Sequence, residues 1–242
     1  MTEAEIYEFD RNGYIIYQNL IPAEEVLRIN AIIDAHQGGE FPHSFSFLEL
    51  DPCFMDLMAH PRTLQIIRVM IGDWLRFDHA YGLQMTKATE IRENLHGGPR
   101  ADHGEHEYQW VEGRMYNGLI VVMYALEDVH PGDGGFICVP GSHKANLSYR
   151  PDVSSHVVVN PSLKAGDMLI FTEALVHGTR LWQSDHRRRS LIYKYSPGHS
   201  VWADFDSIKH YRELATNDLQ RDLLRPPSVG GRSPLKFPEV TG

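Results

Sequence analysis

The sequence predicts a mainly β fold, a double-stranded β-helix or jelly-roll barrel with buttressing N-terminal helices. Two observations carry this prediction. Amphipathic, helix-like segments are confined to the part of the chain before Trp74. From Trp74 onward, short β-rich runs alternate with Gly, Pro and Asp, which is typical of sandwiches and barrels. The mouth of such a cupin-like barrel can hold a metal ion, and we expect one domain over residues 1–242.

The N-terminal part contains start signals for helices and one short strand. The sequence predicts that a helix begins within Thr2 to Asp10 and is followed by a short strand at Gly13 to Tyr17. The segment from Pro22 to Ala35 combines Pro and Glu at its start with apolar residues at helical spacing. A further helix is predicted from Phe54 to Ile71, with its apolar residues on one side. These helices are expected to pack against a sheet.

The remaining predicted elements are strands. Alternation of Leu119, Val121, Met123 and Ala125 aims these side chains at one face of a sheet, and Met123 is expected to face the barrel interior. Asp133-Gly134-Gly135 is a hairpin signal. The predicted strands are Trp74 to Leu83, Gly118 to Ala125, Gly135 to Val139, Val157 to Val159, Met168 to Phe171 and Ser190 to Tyr195.

The length, charge and cysteine content of the chain argue against several classes of protein and partner. The chain has 242 residues, 42% of them hydrophobic, which is enough for one sizeable core. A formal net charge of -9 argues against nucleic acid polymers and anionic membranes as partners. Cys53 and Cys138 do not suggest a disulfide framework. Without a signal peptide or a long apolar span, a cytoplasmic enzyme acting on a small molecule is expected.

Two histidines and an arginine indicate non-haem iron chemistry. In iron oxygenases, two imidazoles and one carboxylate take one face of Fe(II) and leave positions open for 2-oxoglutarate and O2. His96 and His177 are the candidate imidazoles, and Gly98 stands two residues after His96, where a carboxylate is needed. Arg188 can bind the far carboxylate of 2-oxoglutarate with two parallel hydrogen bonds. Strand alternation should turn Arg187 and Arg189 away from it.

The block between Asp133 and Tyr195 contains the motifs Gly134-Gly135-Phe136, Val139-Pro140-Gly141-Ser142-His143, Ala165-Gly166-Asp167, Phe171, His177 and Arg188-Arg189-Ser190. These motifs resemble those of phytanoyl-CoA dioxygenase relatives, and the resemblance extends upstream to about Tyr14. It implies that His96 and His177 are iron ligands, that Arg188 binds 2-oxoglutarate and that Thr179 assists this arginine.

Gly98 departs from the family pattern and resembles the iron halogenases of this superfamily. A missing carboxylate leaves a coordination position and a charge deficit that chloride can fill. The implied function is chlorination of an unactivated C–H bond, with Fe(II), 2-oxoglutarate, O2 and chloride as cofactors. Because the chain is also similar to the halogenase that chlorinates deoxyadenosine monophosphate in nucleoside-antibiotic pathways, a nucleotide is one expected substrate.

Several alternatives stay open. His-Gly-Gly is also a common turn in which glycines supply positive φ. A carboxylate from the following histidine-rich loop, such as Asp102, Glu105 or Glu107, would restore a three-ligand site and ordinary hydroxylation. A binding domain that kept the barrel and lost the iron is the remaining possibility, although the intact histidines and Arg188 weigh against it.

Two further segments have expected positions. The loop from Gly97 to Gly113 should cover the site mouth, and its cations and aromatic rings suit an anionic group and a flat base. The Pro- and Gly-rich tail from Arg225 to Gly242 is expected to be a loosely held surface strap. The loop residues concerned are Arg100, His103, His106, Tyr108 and Trp110.

Overall fold

The computed structural model describes residues 1–99, 106–231 and 233–237. Local capping interactions set the ends of several helices. Thr2 and Glu5 form a capping box at the first helix, which ends at Gly13 in the left-handed conformation. Asp51 caps the third helix by accepting from the Cys53 amide. The helices are α1 (Glu3–Asn12), α2 (Ala23–Gln37), α3 (Pro52–Met58), α4 (Pro61–Ile71), α5 (Phe205–Ile208) and α6 (Asp218–Leu223).

The strands form a large sheet, a small sheet and a hairpin. Over the described residues, the six-stranded sheet has the order β1-β9-β7-β11-β3-β2, the three-stranded sheet has the order β4-β10-β8, and β5 pairs with β6. The neighbouring strands in these three sheets run antiparallel to each other. The strands are β1 (Tyr14–Tyr17), β2 (Ser44–Phe45), β3 (Leu75–Met85), β4 (Asn94–His96), β5 (Tyr108–Val111), β6 (Arg114–Asn117), β7 (Ile120–Ala125), β8 (Gly135–Cys138), β9 (Met168–Thr172), β10 (His177–Arg180) and β11 (Arg188–Pro197).

The core lies in two layers on either side of the six-stranded sheet. One face of this sheet packs against the helices. On this side, the Tyr193 hydroxyl donates to the Phe54 carbonyl oxygen at 2.9 Å. The other face meets the three-stranded sheet and encloses the barrel interior, where Met123, Phe171 and Ile192 are buried. This arrangement confirms the predicted jelly-roll fold with buttressing helices. It also directs every second residue of β7, β9 and β11 into the barrel interior.

The structure differs from the predicted elements in a few places. The helix expected from Phe54 to Ile71 is broken at His60-Pro61 into α3 and α4, because proline disfavours helical backbone in the residue before it. The run from Val157 to Val159 forms only an isolated bridge between Cys138 and Val159. The short strands β2, β4, β5 and β6 were not predicted, since their local pattern is weak.

Two further observations concern the helices and the C-terminal tail. Of the helices in the described ranges, none combines the length and the apolar character needed to cross a bilayer. In the C-terminal tail, the Leu235 amide donates to the Asp73 carbonyl at 2.9 Å, and Leu235 is buried. The described part of the tail is therefore held more firmly than the composition predicts.

Candidate active site

The two candidate ligand histidines face each other on neighbouring strands. His96 ends β4 and His177 begins β10, and the two residues are directly paired in the antiparallel register. Their side chains therefore leave the sheet on the same side, with ring centroids 4.2 Å apart. His96 is exposed and His177 is buried. The register thus joins two residues that are 81 positions apart in the sequence.

A carboxylate that the sequence analysis did not identify completes the set. Glu173 follows β9 and precedes His177 by one tight turn, in which the Leu175 amide donates to the Thr172 carbonyl at 2.9 Å. This turn places Glu173 Oε1 3.8 Å from His177 Nε2. Donor atoms of His96, Glu173 and His177 all lie within 4.8 Å of one another. The signal was a single glutamate within an otherwise apolar run, four residues before His177.

The orientation of the His177 imidazole is set by its surroundings. Nδ1 lies 2.7 Å from the Leu175 carbonyl oxygen, which can only accept, so Nδ1 carries the proton and Nε2 keeps its lone pair. The rings of Phe171 and Phe136 pack against the imidazole, with centroids at 4.8 Å and 6.1 Å. Nε2 is therefore the nitrogen available to a metal ion.

The protonation states of His96, Glu173 and His177 at neutral pH favour metal binding. Burial lowers the pKa of His177 to about 4, and partial burial also lowers the pKa of His96. Burial by itself raises the pKa of Glu173, but the neighbouring His177 and the ammonium of Lys194 outweigh it and lower the pKa to about 2. Two neutral imidazoles and one carboxylate therefore converge, which are the protonation states that metal ligation requires.

Lys194 holds the second oxygen of this carboxylate. It lies on β11, faces the barrel interior and is 8% exposed, and its Nζ is 3.0 Å from Glu173 Oε2. Burial by itself lowers the pKa of Lys194, but Glu173 raises it above its ordinary value. The lysine thus orients Glu173 so that Oε1 remains directed toward His177.

Arg188 is a buried cation without an anionic partner among the described residues. It is 3% exposed, and within the described ranges its Nη1 and Nη2 atoms donate only to the sulfur atoms of Met85 at 3.7 Å and Met123 at 3.5 Å. Burial lowers the pKa of Arg188 to about 10, so the guanidinium remains protonated at neutral pH. A buried charge needs a partner, and an anionic ligand such as a carboxylate would supply it.

Gly135 leaves the space that Arg188 occupies. It has a φ of +78°, and a Cβ atom at this position would lie 2.7 Å from Arg188 Nε. Thr179 is on the same face of β10 as His177, opposite Phe136 in the register. No hydrogen bond joins the Thr179 hydroxyl to Arg188 in the part of the chain that the structure describes, so the assisting role of Thr179 stays a prediction.

The neighbours of Arg188 behave as strand alternation predicts. Arg189 points to the opposite side of the sheet and donates to Asp34 at 2.7 Å and to Gln84 at 3.0 Å. Arg187 also binds Asp34, with an Nη1 to Oδ1 distance of 2.9 Å. Only Arg188 of these three arginines enters the barrel interior.

Gly97 and Gly98 are turn residues with φ of +79° and +92°. A Cβ atom at Gly97 would lie 2.3 Å from the Leu175 carbonyl oxygen, and one at Gly98 would lie 3.2 Å from Val176 Cγ2. Val176 packs with Leu95 and Ile137 in a separate cluster, outside the barrel interior. The His-Gly-Gly turn is therefore explained by backbone conformation and close packing, and the Gly98 Cα–Cβ direction leads toward Val176.

The loop expected to cover the site divides into two parts. Arg100, Asp102, His103 and Glu105 lie outside the described residues. His106 Nδ1 is 2.9 Å from the Gly98 carbonyl oxygen. Tyr108 and Trp110 belong to strand β5 rather than to a loop, and the Tyr108 hydroxyl donates to Asp10 of α1. This hairpin packs beside α1, where the Tyr108 ring also contacts His143.

The described residues fit a divalent metal ion together with a carboxylate-bearing cosubstrate. Two imidazoles and one carboxylate on one side of an ion leave open positions and are typical of non-haem Fe(II) oxygenases. The buried, unpaired guanidinium of Arg188 supplies a complementary site for a carboxylate. Fold and donor set together are those expected of a jelly-roll enzyme that binds its metal through two histidines and one carboxylate.

Comparison with known proteins identifies the family. The phytanoyl-CoA dioxygenase family model matches residues 9–190, and the chain belongs to this family. The ectoine dioxygenase of Sphingopyxis alaskensis is 24% identical, in an alignment that covers 71% of this chain and 68% of that protein.

Solved structures share the fold. HygX from Streptomyces hygroscopicus, with nickel and 2-oxoglutarate bound, has a TM-score of 0.76 at 24% identity and covers 84% of this chain and 90% of its own. EctD from S. alaskensis in its apo form has a TM-score of 0.62 at 18% identity, covering 82% and 78%. The epimerase SnoN from nogalamycin biosynthesis has a TM-score of 0.59 at 20% identity, covering 81% and 83%.

Proposed function

We propose that this protein is an Fe(II)- and 2-oxoglutarate-dependent oxygenase that hydroxylates a small molecule. His96, Glu173 and His177 would hold the iron, and Arg188 would bind 2-oxoglutarate. The observation that carries the proposal is the position of Glu173 beside both histidines. HygX has been solved with nickel and 2-oxoglutarate and also with hygromycin B, which supports the same cofactor and a small-molecule substrate here.

Each protein group has a distinct part in this function. When bound, iron with 2-oxoglutarate and O2 supplies the oxidising power needed to functionalise an unactivated C–H bond. His177 offers the Nε2 lone pair because the Leu175 carbonyl retains the proton on Nδ1. Lys194 keeps Glu173 ionised and oriented. Phe171 and Phe136 cover the buried side of His177 and exclude water from it.

Arg188 provides the expected contact for the cosubstrate. Its planar guanidinium can donate two parallel hydrogen bonds to a carboxylate, and its present neighbours are thioether sulfurs, which are weak acceptors. Exchanging these contacts for a carboxylate compensates the buried charge. This supports binding of the distal carboxylate of 2-oxoglutarate inside the barrel.

The test is a comparison of carboxylate variants loaded with Fe(II) without oxygen. Glu173→Ala should lose stoichiometric iron and 2-oxoglutarate-dependent succinate formation, as should His96→Ala and His177→Ala. Glu107→Ala is the matched control, because Glu107 is an exposed carboxylate that was also a candidate from sequence. If Asp102→Ala or Glu105→Ala loses iron while Glu173→Ala retains it, the ligand assignment is wrong.

Halogenation is the second candidate, and it rests on the sequence interpretation of Gly98 as a vacant carboxylate position. It predicts that chloride occupies a metal position and that a nucleotide such as deoxyadenosine monophosphate is chlorinated. Mass spectrometry of products from a nucleotide and small-molecule panel, in chloride-free and chloride-rich buffer, separates the two functions. Chlorinated product supports halogenation; equal turnover in both buffers with only hydroxylated product supports the proposed oxygenase.

A further inference from the structure

A second group of metal-binding side chains lies outside the proposed active site. His130 and Asp133 are in the connection between β7 and β8, and His186 is in the connection between β10 and β11. Asp133 Oδ2 is 3.1 Å from His130 Nδ1 and 3.4 Å from His186 Nε2. We propose that these three residues bind a zinc-like divalent ion, and we call this group the loop site.

Two of the three distances between the ligand atoms are close to those around a tetrahedral ion. Zinc bonds to imidazole nitrogen and carboxylate oxygen are about 2.0–2.2 Å long, so neighbouring ligands of a tetrahedral ion lie about 3.3–3.6 Å apart. The two separations from Asp133 Oδ2, 3.1 Å and 3.4 Å, are close to this range. Small side-chain movements are sufficient to admit the ion, with water as its fourth ligand.

The tautomer of His186 directs a nitrogen lone pair toward the Asp133 carboxylate, and a cation between the two groups would remove their repulsion. Its Nδ1 is 2.9 Å from the Arg187 carbonyl oxygen, which can only accept, so Nδ1 bears the proton. In the neutral ring, the Nε2 lone pair then faces the Asp133 carboxylate at 3.4 Å. Two acceptors at this distance repel each other unless a metal ion or a proton lies between them.

The surrounding groups orient the ligands in the manner common around metal sites. The hydrogen bond from His186 to a backbone carbonyl selects the nitrogen that binds the ion. On His130, Nε2 faces Asp128 Oδ2 at 3.7 Å while Nδ1 faces Asp133. The Asp133 carboxylate is itself fixed by the His130 amide, which donates to it at 2.8 Å.

The three proposed ligands are sufficiently exposed for an ion to reach them from solvent. The side chains of His130, His186 and Asp133 are 51%, 40% and 15% exposed, so the ion can enter while the carboxylate remains partly shielded. Asp128 is engaged by Lys164 at 2.9 Å and by the Ala165 amide, and it therefore supports His130 rather than binding the ion. The ligand set is His130, Asp133 and His186.

The loop site joins two loops that border Arg188. His186 is two residues before Arg188, and Asp133 is two residues before Gly135, whose backbone lies against the Arg188 guanidinium. The Gln183 amide already donates to the Asp133 carbonyl at 2.8 Å. A bound ion would add a second link between these loops, and its expected effect is stabilisation of the barrel end rather than chemistry.

The test uses a protein without the proposed iron ligands. In a His96→Ala/His177→Ala variant, equilibrium dialysis against Zn²⁺ followed by elemental analysis should still find one zinc ion per chain. Adding His186→Ala or His130→Gln should weaken zinc binding by about tenfold or more. The matched control is His36→Ala, an exposed histidine on α2, which should leave zinc binding unchanged.

Two further measurements keep the result interpretable. Circular dichroism checks that each variant is folded, and Co²⁺ titration should give the visible absorption of a tetrahedral complex that His186→Ala removes. Absence of zinc from the folded double variant, or equal zinc in the presence and absence of His186, would overturn the proposal. The effect of His186→Ala is measured on the His96→Ala/His177→Ala background, so a wrong active-site assignment would add the same zinc to both proteins and leave their difference unchanged.

Discussion

The Lys194 ammonium lies 3.0 Å from Glu173 Oε2 within the barrel, while Glu173 Oε1 lies 3.8 Å from His177 Nε2. One carboxylate therefore contacts a cation on one side and a candidate metal ligand on the other. A lysine beside a metal-binding carboxylate reduces the negative charge available to the metal but fixes the carboxylate orientation. The ion pair also explains how both charged groups remain buried in the metal-free protein.

We predict that Lys194→Met destabilises the metal-free protein by about 3–5 kcal/mol, because it leaves Glu173 buried without its cation. Lys194→Met/Glu173→Gln should recover most of this loss, since neither group is then charged. Chemical denaturation of the four proteins in the cycle measures the coupling. The exposed pair of Lys209 with Asp206 supplies the control Lys209→Met, which should cost no more than about 1 kcal/mol. Additive effects of the two interior substitutions would contradict the predicted ion pair.

Arg188→Lys should raise the 2-oxoglutarate requirement by about tenfold or more, since charged hydrogen bonds each contribute about 1.5–3 kcal/mol and lysine lacks the planar fork. Titration of the anaerobic Fe(II) protein, followed by its visible charge-transfer absorption, measures this change. Arg189→Lys is the matched control. It disrupts contacts with Asp34 and Gln84 and should lower stability without changing 2-oxoglutarate affinity. The reverse pattern would place the wrong arginine in the cofactor site.

Gly135→Ala should impair 2-oxoglutarate binding while leaving iron binding intact. The new Cβ atom would lie 2.7 Å from Arg188 Nε, so the guanidinium must move, and small displacements of a positioning group can cost up to about a hundredfold. Gly113→Ala separates this contact from backbone strain, because Gly113 has a φ of +77° and no heavy atom within 4 Å of the added Cβ. Equal effects of the two substitutions on 2-oxoglutarate affinity would show that strain alone is responsible.

Gly98→Asp should not restore iron binding to Glu173→Ala. The φ of +92° makes any side chain at this position strained, by about 1–3 kcal/mol, and the Cβ would point toward Val176. Iron content of the single and double variants, measured after anaerobic loading, tests this directly. Recovery of iron in the double variant would show that position 98 does reach the metal, and would strengthen the halogenase candidate.

Local patterns in the sequence were sufficient to predict the fold and most of the candidate site. Apolar alternation in β7 specifies which side chains enter the barrel interior, and alternation along β11 separates Arg188 from Arg189. Such periodicity survives in sequence because each strand has only two faces. The two histidines and the arginine were recognisable as well, since iron and 2-oxoglutarate chemistry restricts the residue types that can serve.

Only the tertiary structure shows the carboxylate that is the candidate third ligand. The interpretation of Gly98 as a deleted ligand assumed that the carboxylate must come from the turn after His96. In the structure, the turn between β9 and β10 brings Glu173 beside His177, and the register of β4 with β10 adds His96. Lys194 joins this cluster from a third strand. Sequence spacing describes neighbours along one strand, whereas a ligand set is assembled across strands, where pairing register and turn geometry determine which side chains meet.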